Sequence, residues 1–104
     1  MTLRIGQTLP AIDVDEIDVQ TFAFGRAMVA GETITEVAIT CDAWSGTDPA
    51  PDAVRVGAPV PSGTDVLQVI RGRVDGVTYR LRGRALLSSG RALVAVGYLP
   101  CKRL

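Results

Sequence analysis

The chain contains no histidine. That absence removes serine–histidine and cysteine–histidine nucleophile pairs and most zinc sites, which depend on an imidazole. Cysteine is nearly missing too. Cys41 and Cys101 are the only two, and neither lies in a C-x-x-C or other metal-ligand spacing. No apolar run approaches the roughly 20 residues that cross a bilayer. The first residues, Met1 to Gln7, lack the basic region and apolar core of a signal peptide. A cytosol-like compartment without a membrane partner is therefore expected. A bridge between Cys41 and Cys101 would be unusual there, and Cys41, on an inward strand face, reads as a buried free thiol.

Long amphipathic helical periods are also lacking. Eleven glycines and six prolines cut a chain of 104 residues into short pieces, which favours strands joined by turns. Thr33 to Cys41 alternates, with Val37, Ile39 and Cys41 on one side. Val66 to Arg71 reads as another strand, and Asp75-Gly76 as a turn. Val77 to Leu86 alternates over ten residues: Val77, Tyr79, Leu81, Gly83 and Ala85 face in, while Arg80, Arg82 and Arg84 face out. Ser88-Ser89-Gly90 then turns the chain back into a last strand stopped by Pro100. Val19 to Phe24 and Ala53 to Val56 supply further short strands, with Pro59 to Gly63 as a turn.

Six or seven short strands at this spacing predict an all-β fold, an immunoglobulin-like antiparallel β-sandwich over residues 18–104. Residues 1–17 have no clean period and are broken by Pro10, so they read as an extended N-terminal arm, ordered on its own domain or on a partner. Ile5, Leu9, Asp13, Asp15 and Glu16 are its candidate partner-binding residues. The acidic cluster Asp13, Asp15, Glu16 and Asp18 lacks the glycine and spacing of a calcium loop, and a partner-facing or solvated arm is the better reading.

Two single aromatics carry structural expectations. Tyr79 follows a tight turn near the start of its strand. That is the place of a tyrosine corner, in which the hydroxyl turns back onto upstream backbone; the alternative is a plain core aromatic. Trp44, the only tryptophan, is placed in a loop after Cys41. It either caps one end of the core or stands exposed as a partner anchor, and burial is the usual fate of so large a ring.

Charge is balanced overall but divided along the chain. Residues 1–52 hold nine acids and two bases; residues 53–104 hold two acids and nine bases. Either opposite ends of neighbouring copies attract one another, or the fold interleaves the two halves and the charges mix. Arg80, Arg82 and Arg84 form a stripe that suits an acidic partner segment, or equally an ordinary solvated face. Nucleic acid is disfavoured, because the chain is neutral and has few aromatics to stack on bases. No acid, base and nucleophile constellation emerges, so a non-enzymatic protein without a cofactor or metal is expected.

Phe22 to Ile34, the Ser62-Gly63-Thr64 turn, Gly76-Val77-Thr78-Tyr79 and the Ser89-Gly90-Arg91 hairpin occur in an order that resembles small immunoglobulin-like tailed-phage virion proteins, the phage fibre–tail adaptor family. The resemblance covers about residues 18–98 and leaves residues 1–17 unmatched. It implies a structural protein of the virion, at the collar, neck or tail. Such a protein is assembled in the host cytoplasm, links fibres to the tail or the head–tail connector, and acts in rings of several copies. A capsid decoration protein and a bacterial carbohydrate- or surface-binding sandwich are the alternatives.

Overall fold

The computed structural model describes residues 6–104, and Ile5 lies outside them. Eight strands run in chain order: β1 (Gly6–Thr8), β2 (Ile12–Asp13), β3 (Ile17–Ala23), β4 (Ile34–Ser45), β5 (Arg55–Ser62), β6 (Asp65–Arg71), β7 (Thr78–Leu87) and β8 (Ala92–Lys102). One-turn 3₁₀ segments at Gly25–Ala27 and Pro51–Val54 are the only helical pieces among the described residues. One sheet orders its strands β1/β2, β8, β7, β4; the other orders them β3, β6, β5. If β1 and β2 are counted as one first strand interrupted at Pro10, the second, fifth and fourth strands form one sheet. The first, seventh, sixth and third form the other, so the first strand lies in the sheet of the last rather than beside the second. Apart from that placement, this is the connectivity of an immunoglobulin-like sandwich.

The N-terminal arm is ordered on its own domain, one of the two readings of the sequence, and there forms a first strand. It is part of the sandwich, and its pairing with β8 is parallel, through Gly6–Val96, Gln7–Gly97, Thr8–Tyr98, Ile12–Cys101 and Asp13–Lys102. Leu9 is only 8% exposed and Ile12 only 3%, and both belong to the core. Leu9, expected to face a partner, is instead packed into the core of its own domain. It fills the space left by Gly97, where a Cβ would stand 3.0 Å from a Leu9 methyl carbon. The chain between Leu9 and Ile17 is likewise tied down. Val14 donates its amide to the Lys102 carbonyl, and Gly72 donates to that of Glu16.

Alternation on β7 is as expected: Tyr79, Leu81 and Ala85 are buried against the second sheet, and the arginines face out. Gly83 admits the Phe22 ring from β3, within 3.0 Å of where its Cβ would be. Gly90 takes the left-handed conformation in the β7–β8 hairpin, with φ of 91°. Strand β5 runs on through the region expected to be a turn, because Pro59 and Pro61 lie on an edge strand, where a missing N–H is tolerated. Its register breaks between Val56 and Val60. Gln68 of β6, fully buried, fills that gap by donating its side-chain amide to the carbonyls of Val56 and Gly57.

Both cysteines are buried and unbridged. Burial, helped by the Asp52 and Asp42 carboxylates, pushes the Cys41 thiol up to about 12, and burial also raises that of Cys101. A thiol held in its protonated form behind a packed core is a poor nucleophile. In native buffer neither cysteine should react with a disulfide reagent over minutes, and both should react in denaturant. Rapid modification of either in the native state would contradict this packing.

Candidate functional site: the arginine and tryptophan face

The outward face of the larger sheet gathers the expected arginine stripe with two aromatics. Strand β4 continues past Cys41 to Ser45, and its register with β7 shifts between Ala43 and Ser45. Trp44, in the strand and 57% exposed, is turned outward. The core-capping expectation is thus corrected: β4 runs on past Cys41, and its two-residue alternation puts Trp44 on the outward side with Thr40 and Asp42. Its neighbour is Tyr98 of β8, ring centroids 5.1 Å apart and planes at 57°. The guanidinium carbon of Arg80 lies 5.3 Å from the Trp44 ring centroid, within cation–π range. Asp42 holds Arg80 from its own strand, accepting from Nε at 3.1 Å and Nη2 at 2.5 Å. Arg82 and Arg84 continue along β7, exposed opposite Thr40 and Ala38, and have no carboxylate within ion-pair distance among the described residues.

The remaining candidates do not join this face. Asp13 and Glu16 brace the β2–β3 turn. Asp13 accepts from the amides of Asp15 and Leu104, and these bonds hold its carboxyl below the ordinary carboxylate range. Glu16 accepts from the Asp13 amide. Asp15 is exposed, with Arg103 at 3.9 Å. Among the described residues, no three acidic or cysteine side chains converge as a metal site would require.

The charge division of the sequence is resolved by mixing. Among the described residues five ion pairs form, Asp52–Arg55, Asp48–Arg73, Asp42–Arg80, Glu32–Arg91 and Asp15–Arg103, and each joins an acid of the first half to a base of the second. The two halves interleave as sandwich strands must, so no acidic end faces a basic end.

Two of these pairs were not legible as sites, and both pin loops. Asp48, buried, receives a two-pronged bond from Arg73, the Tyr79 hydroxyl at 2.8 Å and the Ala50 amide. The Arg73 fork holds its carboxyl well below the usual range, with the Ala50 and Tyr79 bonds adding to the effect against burial. The Tyr79 hydroxyl also accepts from the upstream Val74 amide at 3.2 Å, the backbone contact of a tyrosine corner. Burial, with Asp48 beside it, pushes that hydroxyl up to about 12. At the other end of the sandwich, Arg91 grips Glu32 and the Ala27 carbonyl, and Ser89 donates to Glu32. Arg91 foremost, with Ser89 and the Val29 amide, lowers Glu32 to about 2.

Two clefts, of about 110 and 260 Å³, open along the seam between the first strand and β3. They are bounded by core residues such as Leu9, Phe22 and Ile70 and concentrate no reactive group beyond Glu16 and Asp18. In comparisons with protein families, characterised proteins and solved structures, nothing matches this chain.

Proposed function

We propose that the chain is a non-enzymatic assembly module that docks a protein partner on the outward face of its larger sheet. The observation that carries this reading is Trp44, exposed and flanked by Tyr98 and Arg80 at the head of an arginine stripe. Trp, Tyr and Arg are the residues that dominate binding energy in protein interfaces. Arg82 and Arg84 add positive charge and favour an acidic segment beside an apolar anchor. The resemblance over residues 18–98 extends the proposal: the partner is a virion component, and the module is an adaptor joining fibres to the tail or head–tail connector of a tailed phage, present in several copies.

The exposed Trp44 is also the feature that a carbohydrate-binding sandwich would need. Against that alternative, the Trp44 and Tyr98 rings are inclined at 57° and do not form the flat platform on which a sugar face stacks. A decoration protein would use the same face on a different target.

The test is co-sedimentation of the full chain with purified tails, tail-less heads and whole particles of the phage that encodes it. Tails or connectors should retain the wild-type chain, and both Trp44→Ala and the pair Arg82→Glu, Arg84→Glu should lose at least tenfold in retention while melting as wild type does. Retention by heads alone would transfer the role to decoration. Retention by no particle would remove the virion reading, and undiminished retention of the variants would remove this face.

A further inference from the structure

The smaller sheet has an outward face of opposite character. Ile17 (70% exposed) and Val19 of β3, Val69 of β6, and Val56 and Val60 (57%) of β5 stand open to solvent, with Leu67 half-buried among them. They are neighbours by register: Val19 pairs with Val69 and Val69 with Val56, and Leu67 pairs with Val60. An antiparallel sheet with one free face ordinarily alternates apolar inside with polar outside. Strand β7 obeys that rule with its arginines; β6 breaks it. The exposed aliphatics amount to roughly 500 Å² of contiguous apolar surface, in the range of the largest patch on a monomeric protein, which is often functional.

The central strand says what covers it. The outward residues of β6 read Asp65, Leu67, Val69, Arg71, since Val66, Gln68 and Ile70 are buried inward. An acid stands at one end of the apolar row and a base at the other, six residues or roughly 20 Å apart. If a second copy lies face to face with its β6 antiparallel to the first, each Asp65 comes opposite an Arg71 and the aliphatics meet in the middle. Laid parallel, like charges would meet. Arg71 uses its Nε on the Ala53 carbonyl, which leaves its terminal amino groups for a further acceptor.

We infer that this chain forms a two-fold dimer through the β3–β6–β5 face, about an axis that lies in the interface and crosses the strands, with Asp65 of each copy facing Arg71 of the other. The contact is isologous, as a two-fold requires, so one patch serves both copies. With a polar rim it would bury roughly 600–800 Å² per partner, the lower end of the size range of specific interfaces. The inference does not rest on the virion reading, and it leaves the Trp44 face free.

Sedimentation equilibrium of the full chain over a wide concentration range tests it. The wild-type chain should pass from monomer to dimer with a micromolar dissociation constant and go no further. Val69→Lys should weaken the dimer at least a hundredfold. Asp65→Arg and Arg71→Asp should each weaken it about tenfold by setting like charges opposite, and the two together should restore it to near the wild-type value. That recovery is a readout that loss of folding cannot imitate, and circular dichroism melting of each variant accompanies it. A wild-type chain that stays monomeric throughout, a dimer indifferent to Val69→Lys, or a double swap that remains as weak as the single ones would each overturn the inference. Particle binding by Trp44 variants is read in a separate experiment, so either idea can fail without the other.

Discussion

Replacing Asp48 by alanine is expected to destabilise the domain by about 3 kcal/mol, the lower part of the range for breaking a buried ion pair by removing one partner. The carboxylate takes four hydrogen bonds, two from Arg73, one from the Tyr79 hydroxyl and one from the Ala50 amide. Without it, the Tyr79 hydroxyl keeps only the incoming Val74 amide, and its own proton is left in a buried site without an acceptor. Arg73 is partly exposed and can turn to water, which keeps the loss from being larger. At roughly 4–8 °C per kcal/mol for a domain of this size, the melting temperature should fall by more than about 10 °C. Asp48→Asn keeps the shape and some acceptors but loses the charge, so it should fall between. A shift for Asp48→Ala of less than about 1 kcal/mol in urea unfolding would show that the network contributes little.

Asp48 and the separate Glu32–Arg91 pair at the other end of the sandwich together shape the response to acid. Asp48 and Glu32 are both more acidic in the folded chain than their ordinary values of 3.8 and 4.5. The folded state therefore holds fewer protons than the unfolded chain in this range, and stability rises with pH. The contribution is complete above about pH 4.5 and is lost as pH falls through the folded values, about 2 for Glu32 and lower for Asp48. Between pH 4 and pH 2 the wild-type curve should drop steeply, and the Asp48→Ala curve should be flatter because one of the lowered carboxyls is gone.

The sheets were legible where a strand carries its own two-residue period. Val77 to Leu86 and Thr33 to Cys41 show which side faces in, because core and solvent impose alternation on a strand half-buried in an antiparallel sheet. The first strand was not legible. Gly6–Thr8 and Ile12–Asp13 are too short for a period, and their parallel pairing with β8 joins segments from opposite ends of the chain. Trp44 faces outward by the same alternation as Thr40 and Asp42, which a strand ended at Cys41 does not reveal. Asp48 stands before Pro49 in a stretch without a strand period, and nothing local links it to Arg73, 25 residues on. Gln68 occupies an inward position on β6, where a polar side chain breaks the apolar pattern. That break was the one signal available for the gap in β5 that it fills. The dimer face follows the same logic in reverse, since outward β-branched residues on β3, β5 and β6 satisfy strand propensity while leaving apolar surface uncovered.

Gly72→Ala is expected to be as damaging as the loss of Asp48, for a reason of space alone. A Cβ on Gly72 would lie 2.0 Å from the Asp13 carbonyl oxygen and 2.7 Å from the Val14 Cα. Both are backbone atoms, so no side-chain rotation relieves the clash. The β2–β3 turn must move, and it is fastened on several sides: Gly72 donates to Glu16, Val14 to Lys102, and Leu104 to the Asp13 side chain. Moving it draws on Ile12, which is buried in the core one residue before Asp13. Overpacking of this kind costs about 1–3 kcal/mol, and rigid neighbours place this case at the top of that range. Gly57→Ala is the instructive contrast. No atom lies within 4 Å of its Cβ position, but its φ is +73°, so that change should cost only the left-handed strain of about 1–2 kcal/mol. Hydrogen exchange separates the two mechanisms. In Gly72→Ala the Leu9 and Val14 amides, bonded to the Tyr98 and Lys102 carbonyls, should lose protection well before those of the β4–β7 pair. In Gly57→Ala they should not. A Gly72→Ala protein that melts within a degree or two of wild type would mean that the first strand is held far less tightly than its hydrogen bonds and burial require.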